Sequence, residues 1–320
     1  MIFCKLLMAL GLFAAALSAS ADNWPSRPIR FVVAAPGGSS LDVIARTLSD
    51  KLKDRLGQTI VIDNVPGASG TIATGNVARA APDGYTWLIS YNGPLAYTQF
   101  LTRLPYDPQK DLVPVIQTSA QPNVLVVSAD LPVNNVRELI AYARSRPGKL
   151  NYASVGNGSS SHLTMELFKS MTASYVVHIP YNGAPPAALS LVAGETHLLF
   201  SVPSAVMPQV KSGKIKALAV TSAARFPLLA DIPTVAESGL PGFESITWNG
   251  VLLPKGTPAD IARRLNREMD AILKQADVRT RLQNAGLDPI GGSPEMFAAL
   301  LASEAIKWEP VIRRTGAKLD

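Results

Sequence analysis

Residues Ile29–Leu56 read IRFVVAAPGGSSLDVIARTLSDKLKDRL. The first seven, IRFVVAA, are a short apolar run rich in β-branched and aromatic side chains, which predicts a buried strand. From Leu41 onward the apolar residues Leu41, Ile44, Ala45, Leu48, Leu52 and Leu56 share one face at helical spacing. Between strand and helix lies APGGSSLD, a turn of two glycines and two serines with no lysine. Strand, glycine turn and helix in that order predict an α/β protein with largely parallel sheets.

The same unit recurs along the chain. TIVIDN (59–64) reads as a strand, NVPGASG (64–70) as a turn, TIATGNVARAA as a short helix and YTWLISY (85–91) as a third strand. A second block repeats the order: LNYASVGNGSSSHLTMELFKSMT (150–172), then YVVHIPYNGAPPAALSLVAGE (175–195), then strands HLLFSVP (197–203) and IKALAVTS (215–222). Two extended segments with no helix of their own separate the blocks, DLVPVIQTSAQPNVLVVSAD (111–130) and FESITWNGVLLPKGTP (243–258). They read as crossings, one out of the first lobe and one back. Helical patterns over 257–286 and from Ser293 to the C-terminus then return to lobe one.

The chain begins MIFCKLLMALGLFAAALSASADNW. Lys5, the apolar run Leu6–Leu17 and Ala19-Ser20-Ala21 form the n-region, h-region and cleavage site of an export signal. The run is too short for a membrane anchor, which must cross ~30 Å of hydrocarbon. Residues 1–21 are therefore expected to be removed after Ala21 as the protein is exported. The single cysteine, Cys4, goes with them, so neither disulfides nor thiolate chemistry can contribute. A chain of this size buries a sufficient core without them.

The formal net charge is +6, and the basic residues are scattered. Without a basic stripe interleaved with aromatics, nucleic-acid binding is not expected. His162, His178 and His197 stand on separate elements and form no metal-ligand spacing. Neither a metal nor another cofactor is expected. Ser159–Ser161 lie beside His162, but no G-x-S-x-G elbow surrounds them, and serines at a helix start are usual caps. No catalytic residues are assigned.

The glycine turns carry the functional reading. In an open α/β sheet, ligands sit outside the carboxyl ends of the strands. Four such ends are rich in Gly, Ser or Asn and lead into helix starts, whose unpaired N–H groups and partial positive charge attract anions without a cationic side chain. Neither G-x-x-x-x-G-K-[ST] nor a complete G-x-G-x-x-G is present, which excludes the nucleotide versions of this device. A carboxylate-sized anion fits better. A β-carbon at Gly38 or Gly67 is expected to obstruct its approach.

As a set, WPSRPIRFVVAAPGGSSLDVIAR, VIDNVPGASGTIATGNVARAAPDGYT, NYASVGNGSSSHLTMELF, IPYNGAPPAALSLVAGE and WNGVLLPKGTP resemble the Bug family. These are substrate-binding receptors of tripartite tricarboxylate transporters, and the resemblance spans the chain beyond its signal. It implies a two-lobed Venus-flytrap fold in which two doubly wound lobes are joined by two extended hinge strands. Domain I would comprise 22–121 and 247–320, and domain II 122–246. It further implies a non-enzymatic monomer of the periplasm that closes on a small carboxylate and delivers it to membrane permease subunits. Carried over by position, the first-lobe ligand loops are Pro36, Gly37, Gly38 and Ser39, with Asn64, Pro66, Gly67, Ala68 and Gly70. The second-lobe share falls on Gly156, Gly158, Ser159, His162, Tyr181, Gly183, Phe200 and Ser201. Where many members of the family read Phe-Asp, this chain reads Phe200-Ser201. A serine offers no charge to a ligand amine, so a di-, tri- or aromatic carboxylate is expected rather than an amino acid. A secreted α/β hydrolase and a periplasmic sensory binding protein are the alternative readings.

Overall fold

Strand β1 (Ile29–Val33) lies one strand in from the edge of the first sheet, pairing in parallel with β2 (Ile60–Asn64) on one side and β3 (Thr86–Tyr91) on the other. The structure is a computed structural model that describes residues 24–181 and 183–316. The expected signal at 1–21 lies outside the described residues. Helix α1 (Ser40–Leu56) follows β1, and the six apolar residues at helical spacing are all buried against the sheet. Ser39 caps its start by accepting from the Asp42 N–H, and Gly57 ends it in the left-handed conformation. Helix α2 (Thr71–Ala78) connects β2 to β3.

The first extended segment forms β4 (Leu112–Pro122) and β5 (Val124–Ser128), which belong to different sheets. The second lobe continues through α3 (Val136–Arg144), β6 (Asn151–Ser154), α4 (Ser160–Thr172), β7 (Val177–Pro180), α5 (Ala184–Val192), β8 (Leu198–Ser201), α6 (Pro203–Lys211) and β9 (Ile215–Val220). The chain returns in β10 (Ile246–Pro254) and ends with α7 (Ala259–Leu273), α8 (Ala276–Asn284), the short β11 (Asp288–Pro289) and α9 (Pro294–Thr315). The strand orders are β11-β4-β10-β3-β1-β2 in the first sheet and β7-β6-β8-β5-β9 in the second.

Both sheets are mixed, which corrects the expectation of largely parallel ones. Within the lobes β1 is parallel to β2 and β3, and β6 is parallel to β7 and β8. The strands that carry the chain between lobes are antiparallel to their neighbours: β10 to β3 and β4, and β5 to β8 and β9. An outgoing and a returning strand laid side by side must run in opposite directions. Gly250, in the middle of β10, leaves room for the ring of Phe297 from α9. A β-carbon at Gly250 would stand 2.1 Å from Phe297 Cζ.

The two crossings are tied together. Asn123, the one residue between β4 and β5, donates its N–H to Thr221 Oγ1 at 2.8 Å and accepts the Thr221 N–H at 2.9 Å. Ser245 N in turn donates to the Thr221 carbonyl at 2.9 Å. All three residues are buried. The lobes therefore meet at hydrogen-bonded crossings, and Leu163 of α4 also packs into the first-lobe core. The first lobe has one continuous apolar core, and the second sheet has a core on each face.

Candidate functional site

A cavity of about 450 Å³ opens where the carboxyl ends of β1, β2 and β3 face those of β6, β7 and β8. Its first-lobe wall is Ala34–Pro36, Pro66, Gly67, Ser69 and Gly70, and its second-lobe wall is Val155, Ser159–Ser161, Gly183–Ala184 and Ser201–Val202. Asn92, Gln121, Asn123, Thr247 and Asn249 line it on the hinge side. No described lining residue is charged.

What the cavity offers instead is helix starts. Residues at or beside the first turns of α1, α2, α4, α5 and α6 all line it. Those of α1 and α4 are capped by Ser39 and Ser159. Those of α2, α5 and α6 begin at Gly70, Gly183 and Val202 and have no side-chain cap. Prolines at 185 and 186 remove two N–H groups from α5, so Ala184 is the donor left in its first three positions. Helix starts that lack a protein cap present N–H groups and positive potential to whatever enters. Ahead of α2, Ala68 (φ 43°), Ser69 (φ 50°) and Gly70 (φ 81°) form a left-handed turn. Gly70 N donates to the Gly67 carbonyl at 2.9 Å, so the N–H groups this turn can offer an anion are those before Gly70.

The candidate residues divide into two sets. Pro36, Pro66, Gly67, Gly70, Ser159, Gly183 and Ser201 line the cavity. Gly37, Gly38, Ser39, Asn64, Ala68, Gly156, Gly158, His162, Tyr181 and Phe200 are not part of its lining. Several of these shape the loops from behind. Asp42, buried at the start of α1, accepts from Gly38 N at 2.9 Å, Asn64 Nδ2 at 3.0 Å and Arg46 Nε at 2.9 Å. Burial opposes its charge, but the Arg46 guanidinium, the Gly38 N–H and the Asn64 amide outweigh burial and hold its carboxyl below the ordinary range. Phe200 lies wholly in the second-lobe core, stacked on Phe243 at 6.1 Å. Tyr181 turns its hydroxyl toward Glu195 at 3.4 Å, not into the cavity.

His162 and His178 form a stacked pair, centroids 4.2 Å apart, with Tyr152 stacked on His178 at 4.7 Å. Together they brace the turn between β6 and α4. Gly158 N donates to His162 Nδ1 at 3.1 Å, and His178 Nε2 meets Ser154 Oγ at 2.6 Å. Burial lowers both imidazoles to about 4. Nearby Lys169 contributes to that lowering in both; at His178 the His162 ring contributes as well, and Glu166 partly opposes it. Protonation would turn Nδ1 of His162 into a donor facing another donor. The unfolded chain takes up these protons near the ordinary value of 6.5, well before the folded protein does. Stability is therefore complete above pH 6.5, declines as pH falls through the window from 6.5 to about 4, and loses no more from this source below that. Melting temperature measured against pH should show that decline. His162→Asn, whose Oδ1 can still accept from Gly158, should lessen it, whereas an unchanged slope would remove the pair from the explanation.

Sequence reasoning missed the hinge-side amides Asn92, Gln121, Asn123 and Asn249. A single amide at the end of a strand has no motif; only its position at a crossing between lobes could have flagged it. Ser160 links this floor to the hinge, meeting Thr247 Oγ1 at 2.9 Å and accepting from Asn123 Nδ2 at 3.0 Å.

Two mixed α/β lobes, hinged at a pair of crossings around an uncharged cavity ringed by helix starts, define the class of two-lobed solute-binding proteins. Residues 44–317 match TctC, the tripartite tricarboxylate transporter family receptor. Protein BugT of Bordetella pertussis is 38% identical over 321 residues, covering 98% of each chain. Rpa4515 of R. palustris, solved with adipate, superposes with a TM-score of 0.84 at 39% identity, covering 93% of this chain and 100% of that one. MatC of Rhodopseudomonas palustris, solved with bound malate, gives a TM-score of 0.79 at 34% identity, covering 90% of this chain and 100% of that one. The chain belongs to the tripartite tricarboxylate transporter family receptors.

Proposed function

We propose that this receptor works in the periplasm, after removal of residues 1–21. There it captures a small carboxylic acid between its lobes and hands it to the permease subunits of a tripartite transporter, without chemical conversion. The observation that carries this reading is the uncharged cavity onto which five helix starts converge from both lobes. An anion of one or two carboxylates suits such a site, and among the described lining residues there is no acidic side chain to meet an amine. Relatives solved with adipate and with malate favour the same ligand class. The absence of conversion rests on the serines: Ser159, Ser160 and Ser161 bond to the Gly156 carbonyl, Thr247 and the Phe200 carbonyl, and none bonds to a histidine ring. The lobes, 22–121 with 247–320 and 122–246, would close on the ligand as rigid halves about Asn123, Thr221 and Ser245.

A thermal-shift screen of carboxylic acids, followed by small-angle scattering with the best hit, tests this. Inverting a 1:99 open bias takes ~5.5 kcal/mol of differential affinity, which a few charge-assisted hydrogen bonds at ~1.5–3 kcal/mol each can supply. The radius of gyration should fall at saturation, and the ligand should be recovered intact. An unchanged radius would refute closure, and turnover of the ligand would favour a hydrolase.

A further inference from the structure

The two ends of the cavity differ in hydrogen-bonding character. The loop end offers N–H donors. On the hinge side the nitrogens of two amides are already committed: Asn92 Nδ2 donates to Tyr97 Oη at 2.8 Å and to the Ile246 carbonyl at 3.2 Å, and Asn249 Nδ2 donates to Ser119 Oγ at 2.9 Å. The Ile246 carbonyl can only accept, which fixes the orientation of the Asn92 amide. Asn92 Oδ1, Gln121 Oε1 and Ser201 Oγ are all buried, belong to residues lining the cavity, and have no hydrogen-bond partner. Their residues are 0%, 3% and 2% exposed. Buried polar atoms are nearly always paired, so three orphans around one cavity point to a missing partner. Two of the three are amide oxygens, which accept and cannot donate.

We propose that Asn92, Gln121 and Ser201 form a donor-seeking subsite that selects a carboxylic acid bearing a hydroxyl group. The inference rests on the carboxylate reading of the cavity and adds the second recognition element to it. An ionised second carboxylate is acceptor-only and would set oxygen against oxygen at this position. An ammonium group would be a donor, but it would enter without any acidic side chain to replace its hydration. A hydroxyl donates to an amide oxygen and carries no charge. Asn92 and Gln121 belong to the first lobe and Ser201 to the second. A hydroxyl held among them therefore helps to hold the lobes together.

Titration calorimetry on the full chain with matched acids tests the subsite: succinate against malate, glutarate against 2-hydroxyglutarate, and benzoate against 4-hydroxybenzoate. In at least one pair the hydroxylated acid should bind about tenfold more tightly, the scale of one well-made buried hydrogen bond. Ser201→Ala and Gln121→Met should each shrink that ratio. Equal affinity within every pair, or a ratio unchanged in both variants, would overturn the subsite and leave the carboxylate reading standing. Failure of all six acids to bind would remove the carboxylate reading, and the subsite with it.

Discussion

Glu304→Ala is expected to destabilise the protein by ~3–6 kcal/mol, because it leaves three buried donors without an acceptor. Glu304 Oε2 accepts from Tyr97 Oη at 3.0 Å, Trp248 Nε1 at 3.1 Å and Trp308 Nε1 at 3.2 Å. The donors stand on three separate segments: the helical turn after β3, the returning strand β10, and α9 itself. All three rings are almost wholly buried. The network continues into the cavity, since Tyr97 Oη also accepts from Asn92 Nδ2. Glu304→Gln retains one acceptor oxygen and should lose less than half as much. Urea unfolding of the three proteins measures this. An alanine variant with the wild-type midpoint would mean that the tryptophans do not depend on Glu304.

The fold was legible wherever the apolar pattern had a clear period. The face Leu41–Leu56 appears as α1, and the runs at 29–35, 59–64 and 85–91 contain β1, β2 and β3. Helices α3 and α6 left weaker traces. Each is nine residues long, and α6 begins at Pro203 and contains Pro208, which blurs its pattern. Strand direction was illegible for a different reason. A sequence marks β10 as extended, but its antiparallel pairing follows from the route of the chain through the hinge, which no local pattern records.

The site was legible where chemistry and backbone coincide. Gly67, Gly70 and Gly183 were visible because turns at strand ends require them, and these glycines line the cavity. Gly38, Asn64 and His162 look alike in sequence, yet their polar groups are bonded to the loops themselves: to Asp42, to Asp42 with the Ala35 carbonyl, and to Gly158 N. A polar residue beside a turn can face the ligand or fasten the turn, and the two choices read identically. The amides Asn92 and Gln121 were hidden because their role comes from juxtaposition across the hinge. Residues far apart in the chain meet there, and neither one belongs to a glycine turn.

Gly70→Val is expected to reduce ligand affinity more than 100-fold, a loss of ~2.7 kcal/mol or more. Gly70 lines the cavity at φ 81°, the last residue of the left-handed run that begins at Ala68. Non-glycine residues held in that conformation cost ~1–3 kcal/mol each, and Ala68 and Ser69 already adopt it. Valine, β-branched, tolerates it least. A β-carbon would also stand 3.2 Å from the Ala34 carbonyl oxygen, 3.0 Å from Tyr91 Cε1 and 3.2 Å from Pro94 Cγ. Ala34 and Tyr91 are themselves walls of the cavity, so relief of the clash must come from backbone or ring displacement at the site. The turn would unwind and its N–H groups would no longer point one way. Gly38→Ala is the control: φ is 80° there too, but a β-carbon meets nothing within 4 Å, and Gly38 is not part of the lining. It should cost ~1 kcal/mol of stability, as left-handed strain alone does, while leaving affinity within about threefold. Calorimetry with the acid identified by the screen decides between them. Equal losses in both variants would mean that glycine conformation in general, and not the turn at Ala68–Gly70, supports binding.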